Sequence, residues 1–112
     1  MSTKDIGTRG ENIASIFLKE NGYKIIDVNW KTRWCEIDII AKKSDVMHFI
    51  EVKYRKSADY GDGFSYITPK KLQQMRFSAE LWLHQSNYSG DCSLSAVSVD
   101  NEGQSITFLE DL

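Results

Sequence analysis

The sequence is poor in proline, which restricts the backbone, and in cysteine and histidine, which bind zinc and other transition metals. It has one proline, two cysteines and two isolated histidines among 112 residues. Cys35 and Cys92 lack the close spacing of zinc ligands, which argues against a structural zinc site. No apolar run approaches the roughly 20 residues that a membrane helix requires. The N-terminus also lacks the apolar core of a signal peptide, so we expect a cytoplasmic protein with no membrane partner.

The length and the charge distribution suggest what kind of domain this is. A chain of 112 residues with 41% hydrophobic content is typical of one globular domain, so residues 1–112 are treated as a single domain. The net charge is −2, yet residues 31–76 carry +4 and residues 77–112 carry −6. This asymmetry favours a basic working surface and an acidic far side, and ordinary scatter of surface charge is the alternative.

Two acidic residues lie inside apolar runs that are typical of buried strands. Asp38 belongs to the run 35–40, and Glu51 belongs to the run 49–53 together with Lys53. A charge buried in such a run is costly unless a partner compensates for it. A structural ion pair between Glu51 and Lys53 is one interpretation. A divalent-metal site that acts on phosphodiesters is the other, and the apolar flanks favour it.

The spacing of the two runs predicts a hairpin. With a two-residue turn at 44–45, Asp38 lies opposite Glu51 and Glu36 lies opposite Lys53, all on one face. Like charges that face each other destabilise a hairpin, so a cation is expected between them. Mg²⁺, or alternatively Mn²⁺, suits one or two carboxylates. The turn lacks glycine, so a longer loop with a shifted register is the alternative.

Periodicity predicts the remaining elements and an α/β fold. A helical stripe predicts a first helix over 9–20, and Thr68-Pro69 is typical of the start of a second helix that ends before residue 87. The predicted order is α-β-β-β-α-β-β, with a mixed sheet flanked by helices. Residues 57–63 are polar and are predicted to form a loop. The strands outside the hairpin are predicted at 24–30, 94–99 and 105–109.

Two positions near helix starts have both a structural and a functional interpretation. Glu11 follows Thr8 by three residues, as in a capping box, or it adds a carboxylate to the site. Lys70 and Lys71 occupy the first turn of the second helix. They are either solvated lysines or part of a phosphate site at the helix N-terminus.

Further cations and aromatic residues surround the ends of the hairpin. The cations could hold phosphates on either side of a scissile bond. Most of the aromatic side chains are expected to pack in the core or in loops, and one or two could stack on splayed bases. These cations are Lys31, Arg33, Arg55 and Lys56, and the aromatic residues are Trp30, Trp34, Tyr54, Tyr60, Phe64 and Tyr66.

The combined motifs resemble a known family, the YraN-like family. It is placed in the PD-(D/E)xK restriction-endonuclease-like superfamily, near the archaeal Holliday-junction resolvases. The resemblance covers residues 7–85 and implies a restriction-endonuclease-like αβββαβ core and Mg²⁺-dependent phosphodiester cleavage. The motifs that carry it are Gly10-Glu11, Asn29-Trp30, Glu36-Ile37-Asp38, the run from Phe49 to Arg55, and Lys71.

The resemblance also implies roles for individual positions. Glu11, Asp38, Glu51 and Lys53 match the family's site positions, and the Val52 carbonyl is implied as a third protein ligand to the metal. The sequence therefore predicts a small metal-dependent DNA endonuclease that acts on branched or damaged DNA. A homodimer is a further expected partner, because symmetric cutting of a four-way junction would require one. The alternatives are a DNA-binding module of the same fold without turnover and a structural partner protein.

Overall fold

The computed structural model describes residues 3–56 and 64–112, with side chains from residue 9 onward. The observed order of helices and strands is the predicted one, and the mixed α/β fold is confirmed. The predicted loop at 57–63 lies outside the described residues. The elements are α1 (Thr3–Glu20), β1 (Lys24–Lys31), β2 (Glu36–Lys43), β3 (Val46–Tyr54), α2 (Pro69–Gln85), β4 (Asp91–Asp100) and β5 (Ser105–Leu109).

The strands form one mixed sheet in the order β1-β2-β3-β4-β5. The pairs β1–β2, β2–β3 and β4–β5 are antiparallel, whereas β3 and β4 are parallel. A parallel pair needs a long crossover, and α2 lies within the one that joins β3 to β4. Within the described ranges, neither helix is long and apolar enough to cross a membrane.

The core consists of two apolar clusters, each of which includes one helix. Leu18 of α1 packs in one cluster with Ile39 and Val97, and all three are fully buried. Ala79 of α2 packs in the other cluster with Ile40. Burial of these side chains against the strands holds the helices on the sheet.

The β2–β3 hairpin has the register that the sequence predicts. Ser44 and Asp45 have φ angles of 52° and 63°, so both central residues adopt the left-handed conformation of a primed two-residue turn. Lys43 pairs with Val46 on either side of this turn. The alternative of a longer loop is therefore wrong, even though the turn contains no glycine.

The start of α2 is predicted correctly, but the start of α1 is not. The Thr68 side chain accepts a hydrogen bond from the Lys71 backbone N–H at 3.1 Å, as an N-cap does. Helix α1 begins at Thr3, so Thr8 lies inside the helix and the predicted capping box with Glu11 is wrong. An N-cap residue needs a non-helical backbone, and the backbone here is helical on both sides of Thr8.

Candidate active site

Asp38 and Glu51 lie next to each other where β2 and β3 separate. The paired positions of the two strands end at Ile39 and Ile50, which are the sequence neighbours of Asp38 and Glu51. The Asp38 Oδ2 atom accepts a hydrogen bond from the Val52 backbone N–H at 2.8 Å. The aspartate side chain is therefore held against β3.

The environment of Asp38 disfavours its negative charge. Burial, followed by the charge of Glu51, raises the pKa of Asp38 to about 7, although the hydrogen bond from Val52 opposes the shift. The charges of Glu11 and Glu36 raise the pKa further. Asp38 is thus within electrostatic reach of three other acidic residues, which is the situation that a bound cation would relieve.

Helix α2 places a cation beside this acidic cluster. The Lys71 Nζ atom lies 3.1 Å from the Glu51 Oε1 atom, and both side chains are half-buried. Lys71 lies in the first turn of α2, where the Thr68 cap fixes the backbone. The N-terminus of α2 is therefore oriented toward the carboxylates, and its lysines add positive charge at the edge of the site.

Asn29 on β1 connects Glu11 to the site. Burial raises the pKa of Glu11, whereas a hydrogen bond donated by the Asn29 side chain lowers it, and the net direction is upward. Asn29 has a φ of 56° within the strand, a conformation that asparagine tolerates better than most residues. In the sequence, Asn29 stands out only as part of the Asn29-Trp30 motif of the family resemblance. An asparagine inside an apolar strand pattern was the available signal of a special role.

Lys53 and Tyr66 form the other side of the site. The Lys53 Nζ atom lies 5.5 Å from the centroid of the Tyr66 ring. Burial, and then the charges of Glu51 and Asp38, raise the pKa of the Tyr66 hydroxyl. Among the described atoms this buried hydroxyl has no hydrogen-bond partner. A buried polar group without a partner is costly, which favours a water or ligand oxygen at this position.

The predicted contact between Glu36 and Lys53 is wrong. The paired positions of β2 and β3 end before residues 36 and 53 are reached. Glu36 instead pairs across the sheet with Lys31 of β1, with 3.9 Å between Nζ and Oε2. Beyond Ile39, β2 stays paired with β1 but no longer pairs with β3, so the predicted β2–β3 pairing holds only nearer the turn.

Residues 10–100 match the model of the Uncharacterised protein family UPF0102. The chain belongs to this family. It is 40% identical over 101 residues to a UPF0102 protein of Renibacterium salmoninarum, covering 88% of this chain and 86% of the relative. It is 40% identical over 96 residues to one from Cytophaga hutchinsonii, covering 86% and 85%. It is 32% identical over 112 residues to one from Vibrio vulnificus, covering 96% and 91%.

The family assignment from the sequence motifs is thereby confirmed, since UPF0102 is the YraN-like family. The four predicted site residues, Glu11, Asp38, Glu51 and Lys53, all fall inside the matched span. Lys71 falls inside it as well.

The donor set of this UPF0102 chain suits one kind of cation. In the part of the chain that the structure describes, no three His, Cys, Asp or Glu side chains are grouped to form a metal cage. Mg²⁺ does not need such a cage, because it binds through one or two carboxylates and keeps waters and substrate phosphates as further ligands. Asp38 and Glu51, beside the unpartnered Tyr66 hydroxyl, fit a hydrated Mg²⁺ or Mn²⁺ ion. The Val52 carbonyl stays a predicted ligand from the resemblance.

The six predicted DNA-binding cations of the UPF0102 chain differ in their surroundings. The Arg55 Nε atom donates to Asp100 Oδ1 at 2.7 Å, and these side chains are only 16% and 9% exposed. This ion pair gives Arg55 a structural role in the packing of β3 and β4. Lys71 is half-buried beside Glu51. The exposed members are Lys31, Arg33, Lys56 and Lys70.

Proposed function

We propose that this protein is a metal-dependent DNA endonuclease of the PD-(D/E)xK type that acts on branched or damaged DNA. One observation carries the proposal: a hydrogen bond of 2.8 Å from the Val52 backbone N–H holds the Asp38 carboxylate beside Glu51, in surroundings that disfavour its negative charge. Perturbed carboxylates in a cleft are typical of functional sites. The order α1, β1, β2, β3, α2 and β4 supports a restriction-endonuclease-like core.

Each site residue has a role in this proposal. Asp38 and Glu51 would hold Mg²⁺ or Mn²⁺ together with the Val52 carbonyl, and Glu11 would contribute through a water. The bound cation would polarise the scissile phosphate and lower the pKa of a bound water. Lys53 would orient the attacking water and stabilise the developing negative charge. Lys71 and Lys70 would hold a neighbouring phosphate at the start of α2.

A DNA-binding module without turnover is the second candidate, and the ion pair between Lys71 and Glu51 favours it. This contact of 3.1 Å neutralises Glu51 without any metal. A site stabilised in this way could keep its fold and its basic surface while doing no chemistry. The two candidates therefore differ in whether a divalent cation displaces Lys71 from Glu51.

The proposal is tested by incubating the purified protein with linear, flap and four-way-junction DNA, with Mg²⁺ and with EDTA. The endonuclease cuts at least one of these DNAs with Mg²⁺ and none with EDTA. Asp38→Asn should abolish cleavage. Glu80→Gln, which removes one acidic charge from an exposed position on α2, is the matched control and should keep full activity. Salt-sensitive binding without any cleavage would instead support the module, and no binding would support a structural partner protein.

A further inference from the structure

A cleft of about 520 Å³ opens beside the carboxylates. One wall comes from the turn between β1 and β2, and another comes from α2. Glu51 lines this cleft, so it is continuous with the proposed metal site. The proposed roles of the site residues leave most of this space unused.

Two exposed aromatic side chains line the cleft. Trp34 from the turn is 69% exposed, and Phe77 from α2 is 52% exposed. Both line the same cleft, together with the cations Lys70 and Lys71 and the carboxylates of Glu36 and Glu51. A single exposed apolar side chain is ordinary on a protein surface. Two exposed rings from different elements, lining one cleft with cations, are typical of a surface that stacks on bases and contacts phosphates.

The turn that carries Trp34 is held in place by hydrogen bonds. The Thr32 Oγ1 atom accepts hydrogen bonds from the backbone N–H groups of Trp34 at 3.1 Å and Cys35 at 3.2 Å. The Thr32 N–H in turn donates to the Cys35 carbonyl at 2.9 Å. The Trp34 ring is therefore exposed on an ordered backbone, which lowers the entropy that a bound base would cost.

The face of α2 that lines the cleft follows helical spacing. Lys70, Gln73, Gln74 and Phe77 are separated by three or four residues and share one face of the helix. This face begins with a cation near the helix N-terminus and continues with polar side chains to a ring. Outside this face, the Arg33 Cζ atom lies 5.4 Å from the centroid of the Trp34 ring.

We propose that this cleft binds an unpaired DNA base, which stacks on Trp34 and Phe77 while the adjoining backbone phosphate lies at the carboxylate site. The proposal rests on the proposed function for the position of the phosphate. Bases inside a duplex have no free face for such stacking, so the cleft selects DNA with a single-stranded segment next to the cut. The substrate class is therefore a duplex with a single-stranded tail or flap.

The test measures the binding of fluorescently labelled DNA by anisotropy, in the Asp38→Asn background so that nothing is cut. Two DNAs of equal total length are compared, one with a single-stranded tail and one blunt duplex. Trp34→Ala and Phe77→Ala should each weaken binding of the tailed DNA by about 5- to 100-fold. Binding of the blunt duplex should change by less than about two-fold, because phosphate contacts dominate there.

Two further variants serve as controls. Trp34→Phe keeps an aromatic ring, so it should retain most of the affinity for tailed DNA. It should also abolish the quenching of tryptophan fluorescence that the tailed DNA causes, because Trp30 and Trp82 lie outside the cleft. Ile16→Ala changes a side chain that is 57% exposed on α1, away from the cleft, and should leave both affinities unchanged.

Equal affinity of the Trp34→Ala variant and its parent for tailed DNA overturns the proposal, as does an equal loss on both DNAs. In that case the rings serve another occupant, such as an apolar protein segment. The readout needs no turnover, so it is distinct from the nuclease proposal. Ring-dependent binding without cleavage by the wild-type protein keeps this inference and ends the nuclease proposal. If the wild-type protein cleaves DNA but Trp34→Ala leaves the affinity for tailed DNA unchanged, the nuclease proposal is kept and this inference is ended.

Discussion

Lys71 on α2 and Glu51 on β3 form an ion pair, with 3.1 Å between the Nζ and Oε1 atoms. The contact joins the start of the helix to the end of the hairpin where Asp38 is buried. In the metal-free protein, this ion pair neutralises the negative charge of Glu51, one of the two adjacent carboxylates. A divalent cation at Glu51 would compete with Lys71, and the released ammonium group would be positioned for a phosphate.

Lys71→Ala should weaken DNA binding and strengthen the binding of divalent metal. The first effect follows because one phosphate contact is lost, which should reduce the slope of log affinity against log salt by about 1. The second follows because the cation no longer competes with an ammonium group for Glu51. Anisotropy titrations over a salt series and a Mn²⁺ titration measure the two effects. Lys24→Ala, at an exposed position on β1, is the control. An unchanged salt slope would contradict the role of Lys71.

Lys53→Met should slow cleavage about 100-fold or more while DNA affinity stays within about a few-fold. The Lys53 side chain is exposed, and methionine keeps an apolar contact with the Tyr66 ring, so stability should change little. Single-turnover cleavage and anisotropy are measured for the same protein preparation. Lys24→Met, which makes the same change at an exposed position on β1, is the control and should leave both binding and cleavage unchanged. Equal losses of binding and cleavage would make Lys53 a backbone contact only.

Asp38→Asn should abolish cleavage and keep or raise the stability of the metal-free protein. The pKa of Asp38 is about 7 in the folded chain and has an ordinary value of 3.8. Its stabilising contribution is therefore fully present below about pH 4 and is lost as the pH rises through about 7. The loss is on the order of a few kcal/mol, and the Asn variant should not show it.

Urea unfolding in EDTA, over a series of pH values from about 4 to above 7, measures this difference. The variant and the wild-type protein are compared at each pH, so that the contributions of other titrating groups cancel in the difference between the two free energies of unfolding. The free energy of unfolding of the wild-type protein should fall relative to that of Asp38→Asn as the pH rises. A large loss of stability in Asp38→Asn at neutral pH would instead identify Asp38 as a structural charge partner.

Asn29 should act as a positioning residue for Glu11. Asn29→Gly keeps a residue that accepts the φ of 56° but removes the side-chain hydrogen bond to Glu11. Asn29→Ala removes the same hydrogen bond and also adds backbone strain of about 1–2 kcal/mol. Both variants should lose cleavage about 10- to 100-fold, whereas only Asn29→Ala should lose stability by the strain energy.

Comparison with Glu11→Gln completes this test. If Asn29 acts through Glu11, adding Asn29→Gly to Glu11→Gln should slow cleavage no further. Full cleavage activity of Asn29→Gly would show that the asparagine is needed only for the positive φ angle at this position of β1. If the losses of cleavage in the double variant are fully additive, Asn29 acts on a group other than Glu11.

The sequence predicts those parts of the structure that depend on local patterns. Period-two alternation and the Ser44–Asp45 turn predict the hairpin register, and Thr68 predicts the start of α2. The missed features depend on distant contacts. Arg55 is paired with Asp100, which lies 45 residues away, and Lys71 of α2 is paired with Glu51 of β3.

The candidate site could be predicted only in part for the same reason. Spacing within one hairpin brings Asp38 and Glu51 together, so the sequence shows this pair. The hydrogen bond from Asn29 to Glu11 joins β1 to α1, and the cleft between Trp34 and Phe77 joins a turn to α2. Local sequence periodicity does not predict such contacts, because they depend on how the helices are placed on the sheet.

The central claim is that Asp38 and Glu51 bind a divalent cation. The most direct measurement is a titration of isotopically labelled protein with Mn²⁺, followed by the broadening of individual backbone amide signals in NMR spectra. The amides of Asp38, Glu51 and Val52 should broaden first, and Asp38→Asn should remove this effect. Broadening that begins in the acidic segment 77–112, with the signals of residues 38 and 51–52 unaffected, would show that the cation binds elsewhere.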